Sequence, residues 1–78
     1  MINLEPTAWG RGIGTKLLAA ATDELRRAGY VEAVLWVVAG NGRARRFYER
    51  EGWRPDGADV TDDARGFPVT ELRYRRDL

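Results

Sequence analysis

The feature that most constrains this chain is Gly10-Arg11-Gly12-Ile13-Gly14, which runs without a break into Thr15-Lys16-Leu17-Leu18. Glycine lacks a Cβ and tolerates positive φ, so other groups can approach its backbone closely. The helix that follows opens with unpaired N–H groups and the positive end of its dipole. Together these predict an anion site, with Arg11 in the loop and Lys16 on the first turn. Two familiar phosphate loops are excluded. A dinucleotide fingerprint G-x-G-x-x-G finds Thr15 or Leu17 where its third glycine should stand, and a P-loop needs Lys directly after Gly14, where Thr15 stands. The competing reading is a tight strand-to-helix turn that binds nothing.

A chain of 78 residues makes one small domain of marginal stability. Cysteine and histidine are both absent, which removes disulfides, Cys/His metal sites and histidine-based catalysis; no metal is expected. No signal peptide or membrane span is legible, so a soluble, cytoplasmic protein is expected. Thirteen basic and 12 acidic residues leave a net charge of +1, which argues against a general nucleic-acid binder.

In chain order, Ile2-Asn3-Leu4-Glu5 alternates as the end of a strand, and Pro6 stops it. A chain that starts on the last residues of a strand reads as cut. Ile13, Leu17, Leu18, Ala21, Leu25 and Ala28 mark one helix face, with Gly29 as the C′ residue. Val31–Val38 is nearly continuous in its apolar character, as in a parallel strand covered on both faces, and a right-handed crossover is expected around it. Asn41 suits an N-cap for a helix from about Gly42 to Glu51, closed by Gly52. On that helix Ala44, Phe47 and Tyr48 share a face, while Arg43, Arg45, Arg46, Glu49 and Arg50 fall mostly on the solvated side. Trp53-Arg54 starts a short strand, interrupted by a turn at Pro55-Asp56-Gly57 and resumed by Ala58–Thr61. A second turn spans Asp62–Gly66. Val69–Arg76 alternates as a half-exposed closing strand, and its arginines suggest a charged sheet edge.

Two constellations stand together: the strand end and glycine turn into a helix, then an apolar strand followed by Asn41-x-x-Ala44-x-x-Phe47-Tyr48-x-x-x-Gly52-Trp53. In order and spacing this resembles the GNAT superfamily of acetyl-CoA-dependent N-acetyltransferases, from about Ile2 to Leu78. The resemblance implies a mixed α/β fold, with two helices and about four strands forming a partial GNAT fold. Residues 1–78 would then be the C-terminal half of such a domain. It also implies acetyl-CoA as co-substrate and transfer of acetyl to a primary amine by direct attack.

By the same resemblance, backbone N–H groups of Arg11, Gly12, Ile13, Gly14 and Thr15 bind the pyrophosphate. The family pattern has Gln or Arg where Trp9 stands, a departure that weakens the site and for which Arg11 compensates. The Leu4 N–H polarises the thioester carbonyl, Asn41 contacts the cofactor arm or holds a water, and Tyr48 protonates the departing thiolate. Glu5 is the one carboxylate on that strand available as a general base. The plain readings stay open: a core tyrosine at Tyr48 and a simple N-cap at Asn41.

The half of the fold that shapes the acceptor cleft is absent from the sequence, and the acceptor amine is unnamed by it. Three functions follow: an acetyl-CoA-binding half-enzyme completed by self-association or another chain, a non-catalytic CoA-binding or interaction module, and an arginine-rich nucleic-acid module on the Arg43–Arg50 helix. The near-zero net charge disfavours the last. No membrane partner is expected, and the unpaired edge at Ile2–Leu4 predicts an oligomer.

Overall fold

The computed structural model describes residues 2–4, 15–63 and 66–78. In chain order the elements are β1 (Ile2–Leu4), α1 (Thr15–Arg27), β2 (Glu32–Val38), α2 (Gly42–Arg50), β3 (Arg54–Asp62) and β4 (Val69–Asp77). The strands form one mixed sheet in the order β1-β2-β4-β3. β1 lies parallel to β2, with Ile2 opposite Ala33 and Leu4 opposite Leu35. β4 lies antiparallel to β2 on one side and to β3 on the other. The expected α/β class is present, with two helices and four strands among the described residues.

Both helices pack on the same sheet face. Leu18 of α1 and Tyr48 of α2 belong to one buried cluster with Ala33, Leu35 and Val37 of β2, Tyr74 of β4, and Trp53. The period of two along β2 puts Ala33, Leu35 and Val37 on one side, and the register adds Leu72 and Tyr74 opposite Val37 and Leu35. That corrects the expectation of a strand covered by helices on both faces. On the reverse face Val34 is buried between Asn3 and Arg75, its neighbours in register, while Trp36 is half-buried and Val38 is 41% exposed.

Both helices end as their glycines require. Gly29 and Gly52 take φ of +94° and +93°, where a Cβ is strained. Asn41 caps α2, its Oδ1 accepting the Ala44 N–H at 3.1 Å. On α1 the buried positions are Leu18 and Thr22, with Leu25 half-buried, whereas Leu17 is 52% exposed and Ala28 is exposed. Adjacent helical residues point about 100° apart, so Leu17 and Leu18 cannot both face the sheet. Thr22 fits the apolar slot because its hydroxyl donates to the Ala19 carbonyl at 2.9 Å.

The second half departs from expectation in two ways. Pro55-Asp56-Gly57 does not break the strand; it is a bulge inside β3, marked by a register shift between Pro55 and Asp59. Gly57 adopts φ +91° there, and Asp56 Oδ1 accepts the Ala58 N–H at 3.1 Å. The edge strand is β3 rather than β4, which is paired on both sides. The exposed β3 carries proline, a bulge and three aspartates, the usual defences of a sheet edge. The arginines of β4 are used within the sheet instead: Arg73 Nε meets Asp56 Oδ2 at 2.8 Å, and Arg75 reaches Glu32 Oε2 at 3.4 Å. Asp62 of the expected Asp62–Gly66 turn belongs to β3, Ala64 and Arg65 lie outside the described residues, and the Gly66 N–H donates to the Asp63 carbonyl at 2.9 Å.

Candidate functional site

All three described residues of β1 pair with β2, the last of them Leu4 opposite Leu35. β2 runs on through Trp36, Val37 and Val38 with β4 as partner on its other side. The three residues of β2 past that pair lead into the Ala39-Gly40 turn and the Asn41 cap of α2. Here the Asn41 N–H donates to the Val38 carbonyl at 2.9 Å and the Ala39 N–H to the Thr70 carbonyl at 2.8 Å. The C-terminal ends of two parallel strands and the start of α2 therefore meet at one end of the sheet. In open α/β sheets this is the end where ligands bind.

Tyr48 lies two residues before the end of α2, 6% exposed, in the cluster that contains Leu35, the register partner of Leu4. Phe47 and Trp53 meet its ring edge-on, with centroids at 5.3 and 6.4 Å. Burial pushes the Tyr48 pKa above the ordinary phenol value, so at neutral pH the hydroxyl keeps its proton. Asn41 has its carbonyl oxygen committed to the cap, which leaves its NH2 as the group it can offer a ligand.

Thr15 is the first residue of α1 and is exposed; its hydroxyl donates to Glu51 Oε1 at 2.9 Å. Leu4 ends β1. Arg11, Gly12, Ile13 and Gly14, with Glu5 and Trp9, lie outside the described residues. Of the expected site residues the structure describes Leu4 at the described end of β1, Asn41 at the cap of α2, Tyr48 on α2, and Thr15 at the start of α1. Among the described residues no group of three or more acidic side chains is arranged to hold a metal ion.

Sequence reasoning missed three polar residues that support this site. Tyr74, fully buried on β4, donates to Glu49 Oε2 at 2.7 Å and accepts from Arg45 Nε at 3.0 Å. Arg45 also donates to the Ala39 carbonyl at 3.3 Å, so it ties α2 to the turn before its own cap. The sequence pattern places Arg45 and Glu49 on the solvated side of α2, and the structure turns them toward Tyr74. Their i, i+4 spacing signals a shared face, but the partner that turns that face inward is 25 to 29 residues away.

The Acetyltransferase (GNAT) family profile matches residues 1–53. This chain belongs to the GNAT acetyltransferase family. The match takes in β1, α1, β2 and α2 and ends at Trp53, before β3. The chain is also similar to proteins named mycothiol acetyltransferase. In Beutenbergia cavernae the identity is 40% over 55 residues, covering 70% of this chain and 18% of the relative. In Clavibacter sepedonicus it is 37% over 60 residues, covering 77% of this chain and 20% of the relative. The chain therefore spans about a fifth of the length of the relatives it matches. No helix among its described residues is long and apolar enough to cross a membrane.

Proposed function

We propose that this chain binds acetyl-CoA and forms the C-terminal, cofactor-binding half of an N-acetyltransferase domain. The observation that carries the reading is the convergence on Leu35: Leu4 pairs with it in the sheet, and Tyr48 packs in the same buried cluster. An acyl transfer needs a donor for the developing oxyanion and an acid for the leaving group on either side of one reacting carbonyl. A backbone N–H on β1 and a phenol on α2 are two groups among the described residues suited to those tasks.

Acetyl-CoA supplies the activated acyl group, and the rest is done by the chain. Backbone N–H groups from about Arg11 to Thr15 hold the pyrophosphate at the start of α1, where the helix dipole favours negative charge. Asn41 offers its NH2 to the cofactor arm. The Leu4 N–H stabilises the oxygen of the carbonyl under attack. Tyr48 is a phenol that is protonated at neutral pH and whose pKa burial raises further. It would give its proton to the sulfur as the amine nitrogen bonds to the carbonyl carbon and the carbon–sulfur bond breaks, and the proton shed by the amine would return to the phenolate or pass to solvent. The acceptor is an amine, and the name of the relatives makes mycothiol chemistry the first place to look for it. The missing share of the family's fold is supplied by another part of a longer protein, another chain or a second copy.

Calorimetric titration of the chain with acetyl-CoA tests the reading, with Gly12→Asp and Gly14→Asp as controls. Saturable binding that both substitutions abolish is the expected result. A folded chain that takes up no acetyl-CoA overturns it.

A further inference from the structure

Arg43, Arg46 and Arg50 stand at i, i+3 and i+7 on α2, and all three are exposed. A helix turns so that they fall within an arc of about 60°, opposite the side that carries Tyr48 and Arg45. Two more guanidinium groups lie at the end of the helix. Arg54 Nη1 donates to the Glu49 and Trp53 carbonyls at 2.6 and 2.8 Å, and Arg76 lies against Gly52, where a Cβ would stand 3.4 Å from its Nε. With Arg75 these two line a cleft of about 290 Å³ that also touches Asp56 and Asp77. Among the described residues none of Arg43, Arg46, Arg50, Arg54 and Arg76 meets a carboxylate, whereas Arg26, Arg27, Arg73 and Arg75 do. The two acidic residues in the same stretch are engaged elsewhere, Glu49 by Tyr74 and Glu51 by Thr15. Arg43 sits in the first turn of α2, which holds no acidic residue, so its charge opposes the helix dipole. We infer that this arginine row docks the phosphate backbone of double-stranded nucleic acid, without regard to base sequence.

The net charge of +1 is a sum over the whole chain, and it conceals this local excess. Arg43 to Arg50 spans about 10 Å along the helix, more than one phosphate or carboxylate covers, so the fitting ligand is a chain of anions. A protein partner would need apolar anchors at the centre of the contact. A single strand would need exposed rings on which bases stack. The ring on this part of α2, Phe47, is half-buried and meets Tyr48 edge-on. A duplex backbone needs neither device: guanidinium groups donate to its phosphates in pairs, and neutralising them releases counterions. The inference stands apart from the acetyl-CoA reading, whose residues Leu4, Asn41 and Tyr48 lie outside the row.

The test is the fluorescence anisotropy of a labelled DNA duplex of about 20 base pairs, titrated with the chain at salt from about 50 to 200 mM. In wild type log K should fall linearly with log salt at a slope of about −2.7 to −4.5, which corresponds to three to five phosphates. Arg46→Gln with Arg50→Gln should reduce that slope by about 2 while the circular dichroism spectrum stays that of the folded chain. Arg26→Gln removes a charge already paired with Asp23 and should leave the slope unchanged. No binding at about 50 mM salt overturns the inference, as does a slope that the double substitution leaves unchanged. Polyglutamate that binds as tightly as the duplex overturns it in favour of an acidic protein segment. Acetyl-CoA that displaces the duplex, and that loses affinity in the same double variant, overturns it in favour of the cofactor's own phosphates.

Discussion

Tyr74 of β4 donates its phenolic proton to Glu49 Oε2 of α2 at 2.7 Å, in a position with no exposure to solvent. Arg45 Nε donates to the same hydroxyl at 3.0 Å. The phenol is thus satisfied as donor and acceptor by two residues one helical turn apart. Burial raises the Tyr74 pKa, opposed by the Arg45 hydrogen bond and reinforced by Glu49, whereas the Tyr74 hydrogen bond is the main cause that raises Arg45. This pair of contacts fixes α2 on the sheet, and with it both Asn41 at one end and Tyr48 near the other.

Replacing Tyr74 by Phe keeps the ring in the core and removes both bonds. Glu49 and Arg45 are then half-buried without their shared partner, at a cost of about 1–3 kcal/mol. A urea transition followed by circular dichroism checks this as a lower midpoint with an unchanged slope. An unchanged midpoint would mean that Arg45 and Glu49 pair directly and hold α2 without the tyrosine.

Trp53 is fully buried, and among the described residues its indole N–H has no hydrogen-bond partner. Such a donor works against the stability that the ring supplies. Trp53→Phe should therefore cost less than about 1.5 kcal/mol, since it removes the orphan N–H together with part of the ring. Trp53→Ala should cost about 3–5 kcal/mol, enough to unfold a domain this small. A Trp53→Phe cost well above that bound would show that the N–H is satisfied by water in solution.

How far the sequence disclosed this fold depends on how local each signal is. Gly29 and Gly52 announce helix ends because only a residue without a Cβ adopts φ above +90° cheaply, and both do so. Asn41 was legible for the same reason: its partner, Ala44, is three residues away. The edge assignment failed because alternation in Val69–Arg76 reports one wetter face, not which strands lie to either side. Thr22 was missed because its hydroxyl is satisfied by its own helix, which leaves no sign in the apolar pattern. The Glu51–Thr15 and Arg45–Tyr74–Glu49 contacts join residues 25 to 36 apart, so neither pattern nor spacing could place them.

Asp56 gives a prediction at low pH. Burial acts to raise its pKa, but the Ala58 N–H, the Arg73 hydrogen bond and the charges of Arg73 and Arg75 outweigh it and hold the carboxyl below its ordinary value of 3.8. The folded state thus binds this proton less readily than the unfolded chain. Its contribution is complete above about pH 4 and is lost as pH falls towards the folded value. Denaturation midpoints measured from pH 6 down to pH 2 should fall less steeply in Asp56→Asn than in wild type. Parallel curves would show that Asp56 is equally acidic in both states.

At high pH the sign reverses for the two buried tyrosines. Tyr48 and Tyr74 both have pKa values raised above 10.0, each chiefly by burial, so the folded chain holds their protons longer than the unfolded one. Stability is unaffected below about pH 10 and declines as pH rises towards the folded values. Absorbance of tyrosinate should then appear together with loss of the helical signal in an alkaline titration, and Tyr74→Phe should remove part of the coupling. Ionisation of all three tyrosines before any unfolding would contradict the burial.

Tyr48→Phe separates the two readings of that residue. As a core tyrosine it contributes its ring, already held edge-on by Phe47 and Trp53, and phenylalanine retains that ring. Stability and acetyl-CoA affinity should therefore change little. As the proposed acid, its loss leaves the departing thiolate without a proton donor, and thiol release in the presence of an amine acceptor should fall by about 100-fold or more. Stopped-flow detection of the free thiol across pH 6–10 measures this. The wild-type rate should also show no loss attributable to Tyr48 ionisation below about pH 10, because burial keeps the phenol protonated there. A variant that matches wild type in rate as well as in stability would make Tyr48 a packing residue, and the proton would have to reach the sulfur from solvent.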